Sequence, residues 1–198
     1  TGDDWDKWDD VASHFDSASG VSEMIGADGL RGKSWPDLDM LPFGWLTDPN
    51  SKDGPHRYSD LSRSEQRTQM TLWAMAKSPL MYGGDMRKLD DDTCSIITNP
   101  FVLEINWYSS NNREFRKIKR EKVALLSQVI NELRFQYQED GTLERKLWGS
   151  GFRSWIASGR AGEIYVAFFN LKGEAAKISA RVSDVMHALG IKRSPRCL

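Results

Sequence analysis

Apolar positions along the chain change their spacing several times, and each change predicts a different element. Val11 to Phe15, behind Asp9 and Asp10, predict a short helix following a loop. Residues 16–34 are rich in Ser and Gly with scattered apolar positions and predict loop with a weak helix. Trp35–Leu41 reads Trp-Pro-Asp-Leu-Asp-Met-Leu. Pro36 pushes the residue before it out of the α region, so this segment is extended and its alternate residues fall on opposite sides. Gly44, Pro49, Gly54 and Pro55 mark residues 44–60 as a long irregular loop, a kind that is commonly functional.

Ser62 followed three residues later by Glu65 forms a capping box and predicts a helix through Lys77, with Met70, Leu72, Trp73 and Met75 on it. Pro79 ends that helix, and Leu80–Met81–Tyr82 before Gly83–Gly84 predicts a short buried strand. Asp90 or Asp91 caps a helix through about Thr98, and Asn99–Pro100 opens another, with Asn as cap and Pro in the first turn. Extended segments and helices taking turns are the βα order of a parallel sheet or barrel.

Residues 113–134 read as a Lys/Arg-rich helix with one apolar stripe: Ile118, Val123, Leu125, Leu126, Val129, Ile130 and Leu133. Phe152–Ser158 and Gly162–Leu171 predict an antiparallel hairpin, and Lys177–Val182 a third strand. The order therefore divides into 1–112 (βα), 113–148 (a basic helical junction) and 149–198 (an antiparallel β-domain).

The 198 residues, 39% apolar and 28% charged, suffice for one ordinary domain or one domain with part of another. Collagen, coiled coil, a disulfide-dense scaffold and wholesale disorder are excluded by this composition. The net charge of −1 hides a polarity. Residues 1–60 carry 12 Asp and 1 Glu against 5 basic residues, and residues 113–198 carry 17 basic against 9 acidic. Cys94 and Cys197 are too far apart in sequence to suggest a metal or redox motif. No apolar run reaches the roughly 20 residues of a bilayer helix. The chain opens on Thr1 within an acidic, Trp-rich segment, without the blocks of a signal peptide, so its true start is expected upstream.

Candidate chemistry sits on the carboxylates of Thr1–Asp10 (TGDDWDKWDD) and Ser34–Leu41 (SWPDLDML). Glycosidic bonds are cleaved by two carboxyl groups, one protonating the leaving oxygen and the other attacking or activating water. Apolar sugar faces suit Trp and sugar hydroxyls suit Asp, so interleaved Asp and Trp fit a sugar site. The bland reading has the same Asp residues capping helices and the Trp residues filling a core. An Asp-rich Mg²⁺–diphosphate motif would want a clear apolar helix face and a nearby basic cluster, and neither is present. His14, His56 and His187 stand alone, and there is no GxSxG elbow, P-loop or GxGxxG. The basic stretch lacks the aromatic interleaving of RNA binders and reads as the solvated side of a packed helix rather than a nucleic-acid surface.

The blocks TGDDWDKW, SWPDLDML, QMTLWAMAKSPLMYGGDMRKLDDDT and ITNPFVLEIN occur in one order, and that order resembles the α-galactosidase (melibiase) family, glycoside hydrolase family 27. Trp35–Asp48 is similar to a run in its plant α-galactosidase-like, melibiase-type branch. The resemblance runs from Thr1 to about Phe115 and resumes at Phe152–Leu171. It implies the C-terminal part of a (β/α)8 TIM barrel, about strands 6 to 8, followed by part of an antiparallel β-sandwich. The site is then expected at the C-terminal ends of the barrel strands.

The resemblance further implies Asp3 as catalytic acid/base and Asp39 and Met40 as substrate-binding residues. Asp6, Trp8, Trp35 and Asp37 are implied as supporting residues, and Asp85 as a loop carboxylate beside the site. Its mechanism would be retaining, on terminal galactosyl or arabinopyranosyl glycans, with no cofactor and no metal. The family is usually secreted, to the cell wall or vacuole in plants. The family's nucleophile lies in a Lys-Tyr-Asp-type motif that does not occur in these residues, so the chain alone is expected to be inactive or a galactose-binding remnant.

Overall fold

Side chains at Ser62, Asp90 and Asn99 cap three of the described α-helices and set where they begin. A computed structural model describes residues 5–32, 34–47, 56–116, 118–121 and 151–191. The described fold separates into two compact units, Thr1–Arg113 with Ile156–Ala167, and Glu114–Trp155 with Phe168–Leu198.

In the first unit, helix α1 spans Trp8–Ile25. The short helix expected at 11–15 is thus an 18-residue element that takes in most of the expected loop. Val11, Phe15, Ala18 and Ser22 recur at steps of three and four and are all buried. Burial of that face outweighs the weak helix propensity of Ser and of Gly20. Helix α2 spans Arg63–Ala76 and starts at the expected capping box. The Glu65 N–H donates to Ser62 Oγ at 3.3 Å, and the Ser62 N–H donates to Glu65 Oε2 at 2.7 Å. Helix α3, Asp91–Ile97, is capped by Asp90, which accepts from the Thr93 N–H at 2.9 Å. Helix α4, Pro100–Tyr108, is capped by Asn99, with Pro100 in its first turn. Both agree with the sequence reading.

Strands β1 (Trp45–Leu46) and β2 (Arg57–Tyr58) pair antiparallel, Trp45 opposite Tyr58, inside the stretch expected to be irregular. The strand expected at 80–82 is reduced to a single parallel bridge, Leu41 to Tyr82, and its Met81 is exposed. The Leu41 N–H donates to the Met81 carbonyl at 2.8 Å, and the Gly83 N–H to the Leu41 carbonyl at 2.9 Å. One parallel contact joined through α2 is a βα crossover in its shortest form.

α2 is the centre of this unit and packs on α1, α3 and α4. Leu72, Trp73 and Met75 of α2 are fully buried, as are Phe15, Leu38 and Phe43. The helix ends at Lys77, whose backbone is left-handed with φ of 59°. Three side chains take up the polar groups there. Asn112 Nδ2 donates to the Met75 carbonyl at 2.7 Å, Asn106 Nδ2 to the Ser78 carbonyl at 2.8 Å, and the buried Lys77 ammonium to the Ser109 carbonyl. Burial pushes the Lys77 amine pKa below its ordinary value despite the attraction of Asp28.

β4 (Ile118–Glu121) and the last two residues of β3 (Ser110–Glu114) are extended where a basic helix is expected from 113 onward. β4 finds its partner in β7 (Lys177–Ala180), Ile118 opposite Ala180, and this pairing across 62 positions overrides the local helical pattern. Val123 to Leu133 lie outside the described residues. β5 (Phe152–Ser158) and β6 (Ile164–Asn170) form the expected antiparallel hairpin, closed by Gly159 N–H to the Glu163 carbonyl and Leu171 N–H to the Gly151 carbonyl. The strand order is β3-β5-β6. The strand expected at 177–182 stops at Ala180, and Val182–Ala188 forms a helix, α5, that the apolar spacing did not announce. In the second unit Phe115, Phe152, Trp155 and Phe169 are buried, and Arg153 pairs with the buried carboxylate of Glu114.

Replacing Ser62 by Ala should lower stability by about 1 kcal/mol, the usual worth of a Ser cap. In urea the midpoint should fall while the slope stays unchanged.

Candidate functional site

The segment 34–41 is built from its own alternation and from α2 behind it. Pro36, Leu38 and Leu41 are buried, whereas Trp35 and Asp37 are exposed, as an extended chain over a core requires. The alternation breaks at Asp39, whose φ is 70°. A left-handed backbone costs an ordinary L-residue on the order of 1 kcal/mol, and Asp tolerates it better than most because its side chain bonds locally. Four hydrogen bonds hold the stretch from Leu38 to Met40 in place. The Asp39 N–H donates to Asp37 Oδ1 at 3.0 Å, and the Leu38 N–H to Ser78 Oγ at 3.0 Å. Trp73 Nε1 donates to the Asp39 carbonyl at 2.8 Å, and Gln69 Nε2 to the Met40 carbonyl at 3.3 Å.

Asp37, Asp39 and Met40 are therefore brought together on one backed segment, and Asp37 acts there as a brace for the Asp39 backbone. Trp35 stands 38% exposed at the start of the segment, so it fills no core. Asp3 lies outside the described residues.

Asp6 belongs to a separate network. Its carboxylate is buried, pairs with both terminal nitrogens of Arg57 (Nη2 to Oδ1 at 2.9 Å) and accepts the Asp60 N–H at 2.7 Å. Burial alone would raise its pKa, but the guanidinium and the N–H outweigh burial and hold it below the ordinary 3.8. The result is a clamp from the chain before α1 to β2 and the entry of α2. Trp8, half-buried, is the first residue of α1. Asp85 is likewise committed to a cation: Arg87 binds it through its guanidinium, at 2.9 and 2.8 Å, and through its N–H. These bonds draw the Asp85 carboxyl down to about 2.

A cleft of about 430 Å³ lies elsewhere in the same unit, lined by Leu30, Leu80, Pro100, Leu103, Trp107 and Tyr108 among others. Asp37, Asp39 and Met40 do not line it. Among the described residues no group of three His, Cys, Asp or Glu is placed to hold a metal ion. No described helix is long and apolar enough to cross a membrane.

The residues that the sequence did not single out for a role at the site are Gln69, Trp73 and Ser78, behind the segment, and Arg57, which binds Asp6. A signal existed for one of them. Gln69 sits on the apolar side of α2, one turn before Trp73, and a neutral polar residue in that phase implies a buried partner.

Residues 1–108 match the family model described as alpha galactosidase A. The alpha-galactosidase of Oryza sativa subsp. japonica is 30% identical over 106 residues, which are 54% of this chain and 21% of that enzyme. Among solved structures, a GH27 β-L-arabinopyranosidase from Geobacillus stearothermophilus has a TM-score of 0.69 and 26% identity, over 96% of this chain and 35% of its own. A variant of that enzyme in complex with arabinose gives a TM-score of 0.61 at 28% identity, over 86% of this chain and 31% of its own. The chain thus spans about a fifth of the rice enzyme's length and about a third of the bacterial one's.

Asp6 has its pKa depressed on folding, so its stabilisation is complete above about 3.8 and disappears as the pH falls through the lower folded value. Asp6→Asn should cost on the order of 2 kcal/mol at pH 7, less than a fully buried pair because Arg57 is partly exposed. The gap between wild type and variant should close toward pH 2, read from urea midpoints across the acid range.

Proposed function

The chain belongs to the alpha-galactosidase A family, and from that membership we propose that it carries the acid/base and sugar-binding parts of a retaining glycosidase site. The substrates are glycans ending in α-D-galactosyl or the related β-L-arabinopyranosyl residues. One observation supports this reading above the others. Within the matched residues, Asp39 and Met40 sit on a segment whose left-handed backbone is fixed by buried side chains, the construction expected where a carboxylate must meet a ligand in a set direction. The bacterial relative solved with arabinose lends the pentose its place beside galactose.

In this reading Asp3 protonates the departing glycosidic oxygen while a carboxylate nucleophile attacks the anomeric carbon, and Asp3 then takes the proton of the incoming water. Asp39 accepts sugar hydroxyls, and the Met40 side chain packs on the ring. Galactose and arabinopyranose share ring hydroxyl geometry and differ at the exocyclic CH₂OH, so both suit one carboxylate. Residues 1–112 then form the C-terminal part of the barrel, about strands 6 to 8, residues 113–148 a junction and 149–198 part of the β-sandwich. A secreted, cell-wall or vacuolar setting goes with such substrates.

A second reading is that the chain binds the sugar without turning it over. It is favoured by the absence of a Lys-Tyr-Asp-type nucleophile motif from the 198 residues. The chain should be assayed with aryl α-D-galactoside and aryl β-L-arabinopyranoside, beside Asp3→Asn. Turnover that falls at least about a hundredfold in the variant supports hydrolysis with Asp3 as acid/base. A melting temperature raised by galactose or arabinose without turnover supports the binding reading, and neither effect removes both.

A further inference from the structure

We propose that Gln69, Trp73 and Gly83 are positioning residues that fix the direction of Asp39 and the seat of Met40 in the sugar site. The inference rests on the reading of Asp39 and Met40 as sugar-binding residues.

Gln69 and Trp73 are four residues apart on α2, so they lie one above the other on a single helix face. Their donors meet two successive carbonyls, those of Met40 and Asp39, at 3.3 and 2.8 Å. Both side chains are fully buried. A core that needed only volume would place Leu or Met at position 69, because a buried amide requires partners that an apolar side chain does not. The pair instead matches the pitch of one helical turn to a peptide unit turned by the left-handed φ of Asp39. With that carbonyl taken and the Asp39 N–H tied to Asp37, the Cα–Cβ direction of Asp39 is set by the backbone.

Gly83 acts on the other residue. A Cβ added there would lie 2.7 Å from Met40 Sδ and 3.3 Å from its Cγ. The Met40 side chain therefore rests directly on the Gly83 backbone, and any larger residue displaces it. Gly83 is itself fixed, since its N–H donates to the Leu41 carbonyl at 2.9 Å. One helix face orients the Asp39–Met40 backbone, and the turn after Tyr82 seats the Met40 side chain.

The test compares the full chain with Trp73→Phe, Gln69→Met and Gly83→Ala. It reads the φ-dependent amide–Hα coupling of Asp39 by NMR, together with titrations by D-galactose and L-arabinose. Trp73→Phe and Gln69→Met should each move the Asp39 coupling away from its left-handed value and weaken sugar binding about tenfold, the scale of one hydrogen bond. Gly83→Ala should weaken binding with the Asp39 coupling unchanged. An Asp39 coupling that stays at its wild-type value in Gln69→Met, a volume-matched change that tests the idea even if Trp73→Phe does not fold, overturns the positioning role. A wild-type chain that binds neither sugar overturns the sugar-binding reading instead, while the coupling still decides what holds Asp39.

Discussion

The fully buried indole of Trp73 needs an acceptor inside the protein for its N–H, and the carbonyl of Asp39 supplies it. That requirement joins two things that are usually separable, a core helix and a surface segment. Trp73 packs beside His14 of α1, with ring centroids 5.2 Å apart, so the indole is oriented by the same contacts that hold α1 on α2. The direction of its N–H is thereby a property of the core. The Asp39 backbone takes a conformation that an isolated peptide would avoid, and a donor fixed in the core meets its carbonyl there.

The far end of α2 is tied down by the same logic. Its left-handed end at Lys77 leaves carbonyls that Asn112 and Asn106 engage at Met75 and Ser78, and the Lys77 ammonium donates to the carbonyl of Ser109 at the end of α4. Ser78 joins both ends of the arrangement: its carbonyl receives Asn106, and its hydroxyl accepts the Leu38 N–H one residue before Asp39. A continuous polar path therefore runs from α4 through Ser78 to the candidate site.

What the sequence made legible was local chemistry. Ser62 with Glu65 and Asn99 with Pro100 each decide a helix start within three residues and stand where the sequence puts them, and the start left between Asp90 and Asp91 falls to Asp90. The SWPDLDML block was legible as an extended, alternating segment. The length of α1 was not, because Ala18 and Ser22 complete its buried face and neither stands out as apolar in a Ser-rich stretch. The strands β3 and β4 were hidden for a different reason. Their partners lie far along the chain, and a basic run with helical spacing carries no trace of them. At the candidate site, Asp39 and Met40 could be named from the resemblance, whereas the left-handed φ of Asp39 is a tertiary product of Trp73 and Gln69.

The bonds that tie the site to the core are long in sequence: Asp39 to Trp73 spans 34 positions, Gln69 to Met40 spans 29, and Leu38 to Ser78 spans 40. Closing such loops takes chain entropy before any contact returns it, whereas capped helices nucleate on neighbours alone. The order of assembly follows from this. α2, α3 and α4 can form early around their caps, and the Asp39 turn is set only after α2 has docked on the segment from Leu38 to Leu41. The site is then among the last parts of the fold to form, and its shape depends on the core behind it staying packed.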